Sequence, residues 1–322
     1  MFNSLITIGL PAYKTNFLSN SIDSALNQSY SNFELIILND NPTSNIKEIV
    51  KGFTDERIKY YENSENMGSK NLAACWNKIL DLANGDYFCL FSDDDIYHPN
   101  FIEELVLLTE KYPDCNTFHS RVEVIDDNGH FKYAVTSSPE YESALNFLWH
   151  RIRNYRLFFA PDFMVKTEIL KKIGGFVNLP LTWASDELTW YKSANLGGVA
   201  ATSKVLCYWR EGNQNISAIG NSIRKLEAIN QYHKLLAEFL DNELKFRSEE
   251  QNLYNDVKKN LRTKMITDFG NALKSGFSPT YSSIIQIMLT WVKNRKKYRV
   301  PFESLIWALI LQIKAIRGSN KS

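Results

Sequence analysis

Hydrophobic positions follow two alternating rhythms along the first part of the chain. Leu5–Leu10 is a short apolar run closed by Pro11-Ala12-Tyr13, which reads as a strand. Phe17–Gln28 then repeats at helical spacing, with Leu18, Ile22, Ala25 and Leu26 on one face. Phe33–Leu38 is a second strand ending at Asn39-Asp40-Asn41-Pro42, and Asn45–Phe53 a second helix. Ile58–Tyr61 is a third strand. Asn71–Ala83 is a third helix that turns Leu72, Cys75, Trp76, Ile79 and Leu80 inward. Strand and helix alternating over short links form a βαβ series, which predicts a parallel sheet.

The next run, Tyr87–Phe91, is apolar at every position and rich in aromatics, as a strand buried on both faces requires. It stops abruptly at Asp93, Asp94 and Asp95. Three adjacent carboxylates repel one another, and nothing basic sits beside them in sequence. A hard divalent cation would remove that repulsion, and in open α/β sheets ligands bind beyond the carboxyl ends of strands. The competing reading is a solvated acidic turn that caps the helix after Pro99.

Farther on, alternation across Val122–Phe131 broken by Asn128-Gly129 predicts a hairpin. Ala160–Val165 reads as a strand. Thr167–Ile173 reads as a helix that ends on Gly174-Gly175 in the left-handed conformation. Ala200–Trp209 is a last strand. After about residue 220 the rhythm is helical alone: Ile223–Leu240, much of Leu253–Leu273, and Phe302–Ile316 opened by Pro301. This last helix carries an apolar stripe of Leu305, Ile306, Leu309, Ile310 and Ile313.

Charge sharpens this division. Residues 1–220 carry 19 Lys and Arg against 27 Asp and Glu, whereas residues 221–322 carry 18 against 9. The overall charge of +1 gives no ground for a nucleic-acid partner. Cys75, Cys89, Cys115 and Cys207 match no zinc spacing, and free thiols in a reducing compartment are expected. Met1-Phe2-Asn3-Ser4 lacks the basic and apolar regions of a signal peptide, and no run reaches the roughly 18 apolar residues that span a bilayer. A cytoplasmic protein is expected, in peripheral contact with the inner face of the membrane if its basic end docks there.

Five blocks, in order and in register, carry a resemblance to the family 2 glycosyltransferases. They are Ile6–Tyr13, Ser24–Tyr30, Phe33–Asp40, Asn66-Met67-Gly68 with Ala73-Ala74 and Asn77, and Gly85-Asp86-Tyr87 through His98-Pro99. Leu181–Trp190 resembles the family's acidic motif at the start of the acceptor-side helix, and Tyr208-Trp209-Arg210 the segment that closes its domain. The resemblance implies a GT-A fold: an α/β, Rossmann-like mixed sheet flanked by helices, here over residues 1–220, with a C-terminal α-helical extension over 221–322. It implies transfer of a sugar from a nucleoside diphosphate sugar to a hydroxyl of a glycan or lipid-linked acceptor, usually with inversion, and most often in bacterial surface-polysaccharide synthesis.

Carried over residue by residue, the resemblance places Asp40 on the nucleobase and Pro11 and Tyr13 under it. Lys70 and Asn71 fall near the diphosphate, where some members have arginine at the position of Asn71. Aligned on Pro99, Asp93 falls near the ribose and Asp94 on the metal-ligating aspartate; the family's first aspartate is replaced by Ser92. Asp93 and Asp95 also form a DXD triplet, so Asp94 and Asp95 are the expected ligands of Mg or Mn. Asp186 is the expected general base, in a Ser185-Asp186 pair where the family usually has Glu-Asp. Some members carry a metal-binding histidine after the closing segment; this chain has Glu211-Gly212-Asn213 there.

Two readings of the end of the chain stay open. Lys293, Arg295, Lys296, Lys297 and Arg299, followed by an amphipathic helix, suit an anionic membrane through residues 290–318. Alternatively the stripe is buried in a helical subdomain or a homo-oligomer interface. Two other functions compete with transfer. A sugar-nucleotide nucleotidyltransferase would show a glycine-rich, basic first loop, which Gly9–Lys14 lacks; a non-catalytic module would bind a nucleotide sugar without turning it over.

Overall fold

The computed structural model describes residues 3–212 and 222–319; the side chains of Ser69, Lys70 and Ser222 lie outside the described residues. The chain clusters into two compact units. The first holds Met1–Asn178, Ser185–Gly212 and Leu244–Ser248; the second holds Leu179–Ala184, Asn213–Glu243 and Glu249–Ser322.

In the first unit the elements run β1 (Ile6–Ala12), α1 (Leu18–Leu26), β2 (Phe33–Asn39), α2 (Ile46–Lys51), β3 (Ile58–Glu62), α3 (Gly68–Leu82) and β4 (Tyr87–Leu90). They continue as β5 (Ile96–Tyr97), α4 (Phe101–Lys111), β6 (Thr117–Ile125), β7 (Phe131–Ala134), β8 (Tyr141–Glu142) and α5 (Ala144–Ile152). The unit closes with β9 (Phe163–Lys166), α6 (Thr167–Lys172), α7 (Ser185–Ala194) and β10 (Val199–Arg210). The strands form one sheet in the order β3-β2-β1-β4-β9-β6-β10-β5, with β7 on β6 and β8 on β10.

The parallel expectation holds for β1 to β4, and β10 also runs parallel to β6. β9 enters antiparallel between β4 and β6, so the sheet is mixed. β1 and β2 are apolar and nearly wholly buried, as helices on both faces demand. Ile6, Ile8, Leu35, Ile37, Cys89 and Phe118 anchor one core cluster with the inner faces of α1 and α4. All four cysteines are free and buried.

Local chemistry explains the departures from the predicted boundaries. Strand β4 ends one residue early, at Leu90, and Phe91 instead stacks on Tyr97 at 3.9 Å. Ala160–Asp162 is a 3-10 turn rather than strand, because Pro161 cannot donate to a ladder; β9 starts only at Phe163. The β6–β7 hairpin turns where predicted: Asp126 Oδ1 accepts from the Asn128 and His130 amides, and Gly129 takes φ +83°. Gly174 and Gly175, at φ +89° and +78°, end α6.

The second unit contains α8 (Ser222–Glu238), α9 (Gln251–Lys274), α10 (Tyr281–Asn294) and α11 (Phe302–Ser319). Leu226, Ile229, Phe269, Leu273, Ile287, Trp291, Leu305 and Ala308 form its core. Trp183 packs edge-on against Tyr232 at 5.3 Å and lines this core. No helix among the described residues is long and apolar enough to cross a membrane.

Candidate active site

Adjacent strands β2, β1 and β4 end side by side, and their carboxyl ends carry the chemistry. Tyr13 and Lys14 follow β1, Asp40 follows β2, and Asp93, Asp94 and Asp95 follow β4. In a sheet of this kind that edge is where loops converge on a ligand.

The three aspartates are not a solvated turn: they are 5%, 9% and 0% exposed. Asp93 Oδ2 accepts the amides of Tyr13 (2.7 Å) and Lys14 (2.6 Å), which ties the loop after β1 to the end of β4. Burial, with Asp94's charge added, pushes its carboxyl up to about 6, against the pull of Lys14 and the two amides. The missing cation comes from elsewhere in the chain. Lys14 Nζ bonds the Asp94 carboxylate and lies 3.9 Å from Asp93. Burial works against its charge, but Asp94 and Asp93 outweigh burial and hold it above the usual lysine range.

Asp95 faces inward. Its Oδ1 accepts the Arg210 amide at 2.8 Å, while Oδ2 is buried with no hydrogen-bond partner. Burial first, then Asp94, raises its carboxyl well above the ordinary range. Arg210 closes the back of the cluster. Its Nε donates to the Asp94 carbonyl, its Nη1 to the carbonyls of Asp126 and Asp127, and its guanidinium lies 4.0 Å over the Phe17 ring. Among the described residues no three His, Cys, Asp or Glu side chains converge on one ion. The acidic cluster still suits a hard divalent cation held by one or two carboxylates, with phosphate and water as the other ligands. Asp94 offers a carboxylate already paired with Lys14, and Asp95 an unsatisfied oxygen.

Asp40 is buried, and its own chain uses both oxygens. Oδ1 accepts Asn63 Nδ2 (2.7 Å) and the Met67 amide (2.8 Å); Oδ2 accepts the Gly68 amide (2.7 Å). The carboxylate thereby pins the start of α3, where free amides favour a negative charge. A Cβ on Gly68 would meet Asp40 Oδ2 at 2.7 Å, so glycine permits the approach. Asn71 breaks the helical geometry of α3 (φ −158°, ψ 90°), and its Oδ1 caps the Ala74 amide at 3.0 Å. The Lys70 side chain lies outside the described residues. Pro11 is half-buried one residue before the end of β1, and Tyr13 is 50% exposed beside the acidic cluster.

Asp186 is the second residue of α7. It is half-buried, and loss of water pushes its carboxyl up to about 6; the Glu187 amide opposes this, Glu187's charge adds to it, and Arg151 opposes it. Glu187 is itself held by Arg151 Nε at 2.6 Å and by Tyr191 OH at 2.9 Å. Just before α7, Leu181, Thr182 and Ala184 adopt left-handed backbone at φ 59°, 50° and 56°. His98 serves the start of α4, its Nδ1 accepting the Asn100 amide. Glu211 pairs with Lys132, and Asn213 lies outside the described residues.

Sequence reasoning missed Lys14, Arg151 and the reach of Arg210. Lys14 carries no signal of its own, because its partner is 80 residues away. The profile of glycosyl transferase family 2 matches residues 7–174, just over half the chain.

The chain belongs to glycosyl transferase family 2.

Among its relatives, this family 2 member is 26% identical over 231 residues to an uncharacterized glycosyltransferase of Rickettsia typhi, covering 71% of each chain. It is 31% identical over 182 residues to an uncharacterized glycosyltransferase of Methanocaldococcus jannaschii, covering 54% of this chain and 59% of that one. Its fold matches that of Staphylococcus aureus TarS 1–349 in complex with UDP-GlcNAc (TM-score 0.66, 13% identity, 98% of this chain and 91% of the other). It also matches a mannosyltransferase, PcManGT, of Pyrobaculum calidifontis in complex with GDP-Man and Mn2+ (TM-score 0.58, 14% identity, 96% and 86%). The family 2 glycosyltransferase therefore has the GT-A fold, as its sequence resemblance implied.

Proposed function

We propose that this glycosyltransferase moves a sugar, with inversion, from a nucleoside diphosphate sugar to a hydroxyl of a glycan or lipid-linked acceptor. The observation that carries the reading is the buried Asp93-Asp94-Asp95 cluster, tied to the β1 loop beside the exposed Tyr13 ring. Burying three carboxylates is costly and contributes nothing to packing. A site for a polyphosphate and its counter-ion accounts for that cost. The structural neighbours bind UDP-GlcNAc and GDP-Man, which supports the donor class; we favour a UDP-sugar and a role in surface polysaccharide assembly on the cytoplasmic side.

In this reading Tyr13 stacks on the base, over the Pro11 turn. Asp40 shapes the Met67–Gly68 turn against the donor; an imide N–H of the base would share an oxygen with those amides. Lys70 and Asn71 lie on the diphosphate side, and Asp93 holds the β1 loop against the ribose. Asp94 and Asp95 would hold Mg or Mn, which when bound screens charge on the departing diphosphate. Lys14 adds a fixed positive charge at the same place. Asp186 takes the proton of the acceptor hydroxyl as the new C1–O bond forms and the bond from C1 to the phosphate oxygen breaks, releasing the nucleoside diphosphate. A carboxyl raised to about 6 is a stronger base than an ordinary aspartate and is still ionised at neutral pH.

The test is thermal shift against UDP, GDP, CDP and dTDP, with and without Mn2+, on the parent protein and Asp186→Asn. Stabilisation by one nucleotide, strengthened by Mn2+ and retained in Asp186→Asn, is expected. No response to any nucleoside diphosphate would overturn the reading.

A further inference from the structure

The last two helices form an antiparallel pair. At one end Trp291 Nε1 donates to the Pro301 carbonyl at 3.2 Å and its ring meets Phe302 at 5.5 Å. At the other end Gln312 Nε2 donates to the carbonyls of Ser278 and Thr280. The predicted stripe on α11 is split: Leu305 is buried, but Phe302, Ile306, Ile310 and Ile313 are 40–58% exposed. Helix α10 adds a second stripe, unrecognised in the sequence. Tyr281, Ile285, Met288, Leu289 and Val292 are 44–72% exposed.

Both stripes open to one side. Val292 follows the seam residue Trp291 by one position, and Ile313 follows the seam residue Gln312 by one. Each step turns about 100° in the same sense. On antiparallel helices facing each other across a seam, equal turns in one sense lead to the same side. The result is a continuous apolar face of nine large side chains, larger than scattered surface hydrophobics.

Charge identifies what covers it. Lys293, Arg295, Lys296, Lys297 and Arg299 are all exposed where the two helices join. Arg295 lies 4.9 Å over the Trp291 ring, which brings positive charge to the end of the stripe. Residues 281–319 contain seven Lys and Arg, and Glu303 is their only acid. That acid is paired with Arg262 at 2.6 Å. A second copy docking face to face would bring like charge onto like charge. An anionic bilayer offers hydrocarbon for the stripe and phosphate for the basic groups.

We propose that the α10–α11 face is a docking surface for an anionic lipid membrane, on which the helix pair lies flat. This goes beyond the transfer reaction and does not depend on it. The experiment is flotation of the full chain with vesicles of phosphatidylcholine alone or mixed with phosphatidylglycerol, at low and high salt. The chain should float with the anionic vesicles and release with salt. Lys296→Gln with Lys297→Gln should weaken partition by about fivefold per charge removed. Ile285→Gln with Ile306→Gln should abolish flotation without altering the circular dichroism or its melting profile, since both side chains are exposed. Equal binding to neutral vesicles, no binding, or unchanged flotation by the folded variants would overturn the proposal. So would a dimer in analytical ultracentrifugation that the same variants dissociate, which would assign the face to a second copy.

Discussion

The ammonium of Lys14 rests on the carboxylate of Asp94, and the amide of the same lysine rests on Asp93. One residue thus supplies a charge and a tether to a cluster 80 residues farther along the chain. Replacing Lys14 by Met removes the charge and keeps the tether. Leaving two buried carboxylates uncompensated should cost about 2 kcal/mol in urea unfolding, short of the full penalty of a sealed ion pair because the lysine side chain is 22% exposed. Mn2+ should stabilise Lys14→Met more than the parent, because the ion then meets no resident cation. Equal Mn2+ effects on both would argue against Asp94 as a ligand.

The ionisation proposed to make Asp186 a base should cost stability. Its carboxyl is raised from the usual 3.8 to about 6, so over that window the native state holds more protons than the unfolded chain. Stability from this group is therefore full below about pH 4 and is lost as pH rises through 6. Asp186→Asn should abolish transfer, retain nucleotide binding, and be more stable than the parent by about 1–2 kcal/mol at pH 8, with no gain at pH 4. Chemical denaturation at the two pH values checks this.

As the proposed base, Asp186 should set the acid limb of the pH–rate profile, near pH 6 in the parent. Glu187 raises it and Arg151 lowers it. Glu187→Gln should move the limb to lower pH and Arg151→Gln to higher pH. A profile that both changes shift in the same direction would remove Asp186 from the base role.

Asp40 accepts from three groups of its own chain, so its removal should be a structural lesion apart from any effect on the proposed nucleotide site. Asp40→Ala should cost about 2–3 kcal/mol, since three donors, two of them amides at the start of α3, lose their acceptor. Asp40→Asn should remain destabilised, because turning an amide nitrogen toward the Gly68 or Met67 N–H sets donor against donor. Thermal melts without nucleotide measure this apart from donor binding.

Ala184 takes a left-handed backbone two residues before Asp186. Glycine adopts that conformation without cost, so Ala184→Gly should stabilise the protein by about 1 kcal/mol. If turnover falls in the stabilised variant, the strain helps hold the start of α7 in place for the reaction. Melting temperature and kcat measured on one preparation decide it.

Strand and helix order in the first part of the chain was legible because period-2 and period-3.6 patterns are local. The hairpin at Asn128-Gly129 and the Gly174-Gly175 cap were legible because left-handed backbone selects glycine. The β4 aspartates announced themselves as three charges at the end of an apolar strand. Helix α10 was missed although its apolar positions recur at helical spacing; its buried residues include Ser283 and Asn294, so polarity does not mark which face turns inward. The antiparallel entry of β9 was not readable, because direction in a sheet is set by pairing with β4 and β6 rather than by any residue within Phe163–Lys166.

By itself, then, the amino-acid order determined the alternation of strand and helix in the first part of the chain, which family the chain resembles, and which acids gather in sequence. Tertiary structure alone decided that Lys14 neutralises Asp94, that Arg210 backs Asp95, and that Asp40 is occupied by the start of α3. Those relationships join residues that only the folded sheet brings together. Charge compensation in a buried site acts over a few ångströms of space and is indifferent to distance along the chain.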